Sequence, residues 1–187
     1  IGFRDELTLL YPLGSPRAVR RGNRVRLVRT TRQLRVGGEL LGRVIDAEGV
    51  AIDGKPHPAL PDRARLDREP PPPCRRPAID RPLTTGIRAI DGLLTCGRGQ
   101  RLGIFAGSGV GKSVLLGMMA RYAAADVIVI GLIGERGREV NEFLHRDLGP
   151  EGLAKSVVVV ATSDEPALTR VNAALAATAV AEYFRDR

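Results

Sequence analysis

The sequence predicts an α/β protein: a parallel sheet with helices on both faces, preceded by a smaller all-β segment. Three observations predict it. After Pro82, short β-branched runs alternate with patterns of helical period. Before about residue 66, short apolar runs are punctuated by glycine and proline. Between them, Arg68 to Pro77 reads REPPPPCRRP, which removes backbone donors and favours extended polyproline geometry. The expected organisation is a partial β-barrel and the passage into the larger domain over residues 1–66, a proline-rich linker over 67–82, and the α/β domain over 83–187.

The elements follow in order. Leu7 to Leu10, Val25 to Val28 and Leu40 to Ile45 are strand-like runs separated by Pro12, Gly14, Gly22, Gly37, Gly38, Gly49 and Gly54. In the second domain, Arg101 to Ala106 reads as a strand, and Lys112 to Ala123 as a helix with Leu115, Leu116, Met119 and Tyr122 on one side. Val127 to Ile133 is continuously apolar, as in a strand buried on both faces. Val140, Phe143, Leu144 and Leu148 form a helical stripe that Gly149-Pro150 ends. Val157 to Ala161 is a third strand, and Ser163 or Asp164 is placed to cap a last helix running to about Phe184.

Composition narrows the classes. In 187 residues, a 43% hydrophobic content suffices for a packed core. No apolar run approaches membrane-spanning length. Cys74 and Cys96 lie 22 positions apart, outside any C-x-x-C pair, which predicts two free thiols rather than a disulfide framework or zinc site. The chain begins at Ile1 without an initiator Met, and so reads as an excised piece.

The net charge of +8 is uneven: residues 1–82 carry 17 basic and 10 acidic side chains, residues 83–187 carry 12 and 11. Arg17 to Arg35 holds eight arginines and no acid, which could face phosphate, RNA or an anionic lipid surface. The alternation Arg24-Val25-Arg26-Leu27 predicts instead a half-buried strand with its arginines outward. No aromatic residues interleave for base stacking, so no nucleic-acid partner is expected.

Ile104 to Ser113 reads IFAGSGVGKS. Gly107, Gly109 and Gly111, with Ser108 and Val110 between them, let the backbone turn its N–H groups onto phosphate, and the helix opening at Lys112 adds its positive end. Lys112 would bridge β- and γ-phosphates and the Ser113 hydroxyl would ligate Mg²⁺, with Val114 completing the cofactor-binding segment. The G-x-x-x-x-G-K-[ST] pattern departs at one position, where Ala106 stands for glycine.

A second segment, GERGRE at Gly134 to Glu139, follows the next strand and so lies where α/β sheets hold ligands. Glu135 could polarise water, Arg136 could meet the γ-phosphate and Glu139 could hold a water on Mg²⁺. Spacing alone equally fits a charged, solvated helix start with Glu near the positive dipole end.

Taken together, PLTTGIRAIDGLLTCGRGQRLGIFAGSGVGKS (Pro82 to Ser113), DVIVIGLIGERGREVNEFL (Asp126 to Leu144) and SVVVVATSDEPALTRVNAALAATAVAEYFRD (Ser156 to Asp186) closely resemble the type III secretion and flagellar protein-export ATPases. These are similar to the nucleotide-binding subunits of rotary ATP synthases. GRVIDAEGVAIDG (Gly42 to Gly54) matches the family's passage from its N-terminal barrel into the catalytic domain, and FAGSGVGKS accounts for Ala106.

The resemblance implies a P-loop NTPase (RecA-like) fold and a homohexameric, Mg²⁺-dependent ATPase in the cytoplasm, peripheral at the inner face of the bacterial membrane. Its implied partners are export chaperones and secreted substrates, together with stalk and stator proteins of the export apparatus. It assigns phosphate binding to Lys112, Mg²⁺ to Ser113, water activation to Glu135 and a γ-phosphate contact to Arg136. It also places the Walker B strand, the adenine-stacking aromatic, the arginine finger and the chaperone-facing helical domain beyond Arg187, so weak turnover is expected of this chain alone. A rotary catalytic subunit, an RNA-translocating ring and a nucleotide-binding module without turnover are the competing readings.

Overall fold

The computed structural model describes residues 2–10, 19–28, 31–107 and 109–187. Its strands are β1 (Gly2–Arg4), β2 (Leu7–Leu9), β3 (Gln33–Val36), β4 (Arg43–Ile45), β5 (Asp62–Arg65), β6 (Pro82–Leu83), β7 (Cys96–Gly97), β8 (Ile128–Ile133) and β9 (Ser156–Ala161). Its helices are α1 (Arg88–Leu93), α2 (Lys112–Tyr122), α3 (Gly137–Glu142), α4 (Gly149–Ala154) and α5 (Ala167–Arg185). A π-helical segment, Phe143–Leu148, joins α3 to α4.

The central sheet has the order β4-β9-β8, and both pairings are parallel. Strand β9, SVVVVA, is buried along its whole length because helices cover both faces. On one face Val157, Val159 and Ala161 pack against Ala173, Ala176 and Val180 of α5. On the other, Val158 and Val160 pack with Ala120 of α2, Val140 of α3, and Phe143 and Leu148 of the π segment. Val157, Val158 and Val159 are fully buried, each worth about 1.5–3 kcal/mol of hydrophobic stabilisation.

Over residues 1–66, where a partial barrel and the entry into the larger domain are expected, the described strands form short ladders. Among the described residues β1 pairs only with β2, β3 pairs with β5, and β4 leaves them to join β9 in the central sheet. Leu34, Val36, Leu40 and Leu60 share one core with β9 and α5. The reason is that β9, buried on both faces, needs a ladder partner on each side, and the RVI of β4 satisfies one of them. Tyr183 of α5 also donates to Asp62 of β5 at 2.9 Å, tying the two regions together.

Other expectations are corrected. Residues 23–28 form no strand and are exposed, including Val25 and Leu27; Pro12, Gly14, Arg17 and Arg29 lie outside the described residues. Residues 101–106 form no strand either, and Phe105 is 96% exposed. A strand exists only by pairing: β9 is paired on both sides, with β4 and β8, while the outer edge of β8 has no partner among the described residues and 101–106 does not take it up.

Strand β8 is for the same reason only partly covered, with Leu132 its one buried residue. Helix α2 buries Gly117 and Ala120, whereas Leu116 and Tyr122 are exposed. Gly149 does not end the helical run but breaks it at φ 67° before α4 continues. Helix α5 starts after Pro166 with no side-chain cap from Ser163 or Asp164. The proline-rich stretch is exposed and irregular apart from a 3₁₀ turn at Pro73–Arg75. Cys74 is exposed, Cys96 is buried, and both are free thiols.

Candidate phosphate-binding site

The glycine-rich stretch before α2 and the turn from β8 into α3 place two helix starts side by side. Gly109 (φ 78°) and Gly111 (φ 96°) both hold left-handed backbone, which strains any side-chain-bearing residue. Gly111 is the N-cap of α2, and no side chain caps that helix. Its first-turn amides are therefore left for an anion, reinforced by the helix dipole. Lys112 and Ser113 stand in that first turn. Ser108 lies outside the described residues.

The second turn is held by backbone contacts between the strands. Gly134 (φ 79°) donates to Ala161 O at 2.7 Å, and Ser163 donates to Glu135 O at 3.0 Å. Glu135 is thereby fixed facing the loop, with its Oε1 3.6 Å from Lys112 Nζ. Both side chains are partly exposed, so the pair is loose and screened by solvent, and a more highly charged ligand could displace it.

Arg136 is the N-cap of α3, and Glu139 at the third helical position reaches back to it. The Glu139 carboxylate accepts from the Arg136 backbone N–H at 3.3 Å and from its guanidinium at 2.9 Å. The backbone N–H, then the guanidinium, hold the Glu139 carboxyl below its ordinary range. It is thus an anion at neutral pH, with oxygen lone pairs left for a further contact.

A cleft of about 530 Å³ lies between the two turns. Gly107, Gly109, Gly111, Lys112, Ser113, Val114, Glu135 and Glu139 line it. Arg136 and Val110 do not: Arg136 is turned to Glu139 and Val110 is exposed. Phe143, Arg146 and Asp147 of the π segment also line it. The sequence reading singled out Phe143 only as core, and no pattern marked the other two. A larger cleft of about 970 Å³ beside β5 and α5 is lined by arginines and acids, several already paired, such as Arg68 with Asp186 at 2.8 Å. It offers no glycine loop or helix start.

Among the described residues no three His, Cys, Asp or Glu side chains cluster as a metal-ligand set. The Ser113 hydroxyl and Glu139 carboxylate are hard oxygen donors in one cleft. That suits Mg²⁺, which takes few protein ligands and completes its shell with phosphate and water.

The model of the ATP synthase alpha/beta family, nucleotide-binding domain, matches residues 86–187, more than half of the chain. The chain belongs to this family. Similar members include the flagellum-specific ATP synthase of Bacillus subtilis (strain 168), 51% identical across the whole chain and 43% of that protein. The type 3 secretion system ATPase of Xanthomonas euvesicatoria is 50% identical across the whole chain and 42% of its own length.

Among solved structures, the assembled ATPase EscN in complex with its central stalk EscO, from the enteropathogenic E. coli type III secretion system, is 59% identical. It superposes with a TM-score of 0.78 over 82% of this chain and 38% of its own. The chain thus spans about two fifths of the length of the relatives it matches. These relatives are flagellar or type III secretion ATPases by name, and the P-loop α/β architecture expected from the sequence is shared with them.

Proposed function

We propose that this chain is the phosphate-binding part of a Mg²⁺-dependent ATPase that energises protein export through a type III secretion or flagellar apparatus. It would act within a homohexamer at the cytoplasmic face of the membrane, with stalk and stator proteins, releasing export substrates from chaperones and unfolding them. The observation that carries the reading is the placement of Lys112 and Glu135 across one cleft, 3.6 Å apart, with Ser113 beside them.

The roles follow from the chemistry of each group. The α2 amides and Lys112 take up phosphate charge; Ser113 and Glu139 would hold Mg²⁺, which supplies further neutralisation of phosphate oxygens. Once phosphate draws Lys112 away, the Glu135 carboxylate is free to orient water and accept its proton. Arg136 would release Glu139 to reach the γ-phosphate, an inexpensive change for an exposed pair.

Glu135→Gln is the test: nucleotide affinity stays within about threefold while turnover falls by about 100-fold or more. Undiminished turnover would remove Glu135 from the chemistry. A second reading, nucleotide binding without turnover by this chain alone, is favoured by the unpaired residues 101–106. It predicts stoichiometric Mg²⁺-ATP binding with phosphate release far below that of a full-length relative.

A further inference from the structure

We propose that the contact between Gly117 of α2 and Asp147 of the π segment, clamped by Arg121, sets the distance across the phosphate cleft, so that Gly117, Arg121 and Asp147 are positioning residues for Lys112 and Glu135. The inference rests on the reading of that cleft given above.

Helix α2 buries only small residues, Gly117 and Ala120: Ala120 joins the side-chain core with Phe143 and Leu148, whereas Gly117 lies against the backbone of Asp147. A Cβ built at Gly117 would lie 2.7 Å from the carbonyl carbon of Asp147, closer still to its oxygen, and 3.0 Å from its Cβ. Arg121, one turn further along α2, donates its guanidinium to the same Asp147 carbonyl. The Asp147 side chain is buried and accepts from Arg146 at 3.0 Å. Phe143, Arg146 and Asp147 reach the cleft that holds Lys112 and Glu135.

The chain therefore runs from the Glu135 turn through α3 into a wide π turn that docks on the phosphate helix. π turns inside helices recur at functional sites. Here the turn joins the two walls of the cleft: α2 carries Lys112 and Ser113, the turn before α3 carries Glu135, and α3 itself carries Glu139.

A methyl at Gly117 would push α2 back by about 1 Å, and a 1 Å misplacement of reacting groups can cost about 100-fold in rate. The loop amides and Lys112 would move with α2 as one body and keep their grip on phosphate, while Glu135 would stay behind. Alanine is the better helix former, so a helical glycine with no close neighbour would give a neutral or stabilising change, and one needed for packing alone would lower stability without changing kcat.

In the full-length protein, Gly117→Ala lowers kcat by about 10- to 100-fold, with KM and nucleotide affinity within about threefold of wild type. Arg121→Ala shows the same split, and Arg121→Lys, which keeps a donor for the Asp147 carbonyl, restores kcat. Gly92→Ala in α1, where nothing lies within 4 Å of the added carbon, leaves kcat unchanged. Wild-type kcat in Gly117→Ala, or parallel losses of kcat and affinity, would overturn the inference. If Gly117→Ala does not fold, the Arg121 pair decides: Arg121→Ala with unchanged kcat, or no rescue by Lys, overturns it. The Lys112→Ala variant separates the two levels: wild-type nucleotide affinity there defeats the reading of the cleft itself, whereas lost affinity beside an unaffected Gly117→Ala defeats the positioning role alone.

Discussion

Arg43 and Asp53 form a half-hidden ion pair where β4 leaves the central sheet, with the guanidinium bidentate on the carboxylate at 2.6 and 2.9 Å. Asp53 also accepts from the backbone N–H groups of Val44 and Lys55. The Arg43 hydrogen bond, aided by those amides and opposed by burial, holds the Asp53 carboxyl well below the usual carboxylate range. Its folded value lies below its unfolded value of about 3.9, so its contribution is complete above about pH 4 and is lost as pH falls below that. Asp53→Asn leaves Arg43 without its counter-charge and costs about 2 kcal/mol, measured by denaturant melts at pH 7. The cost shrinks when the melts are repeated below about pH 4, because the unfolded wild-type chain then takes up a proton on Asp53 that the folded state does not bind. The sequence displays both residues within GRVIDAEGVAIDG, but the pairing across ten positions is made by the turn at 46–51 and carries no local pattern.

At the scale of elements, β8 and β9 and the helices after them were legible because each has a strong period or a continuous apolar run. Residues 101–106 were misread because strand propensity does not supply a ladder partner. The buried face of α2 was misread for a related reason: an amphipathic pattern assumes side-chain packing, whereas α2 rests on the backbone of Asp147 through Gly117. The same preference for small residues governs α5, where Ala173, Ala176 and Ala179 are buried. Ala176→Leu forces extra volume between α5 and β9 and is expected to cost about 1–3 kcal/mol. For a chain of this size that is a fall of roughly 2–12 °C in Tm, and an unchanged Tm would show that the α5 interface is loosely packed.

Across the whole molecule, the glycine turn before α2 and the turn after β8 bring together groups 23 positions apart, Lys112 and Glu135. The pattern of the proposed phosphate loop stands in the sequence itself, because its chemistry would be carried by backbone and by glycine, which the sequence names directly. The role of Glu135 was open on spacing alone. What favours it is tertiary: the Ser163 N–H on the Glu135 carbonyl and the Gly134 N–H on Ala161, contacts between segments nearly thirty residues apart. The passage of β4 into the central sheet was hidden likewise, since three residues of strand show neither their partner nor their direction.

The most direct test of the central claim, that this cleft grips nucleotide phosphate through Lys112, is isothermal titration of the chain with Mg²⁺-ATP beside its Lys112→Ala variant. Binding at one site per chain, weakened at least about tenfold by Lys112→Ala as expected for loss of a charge-assisted contact of about 1.5–3 kcal/mol, is the predicted result. Equal affinity in the two proteins would place the nucleotide elsewhere and contradict it.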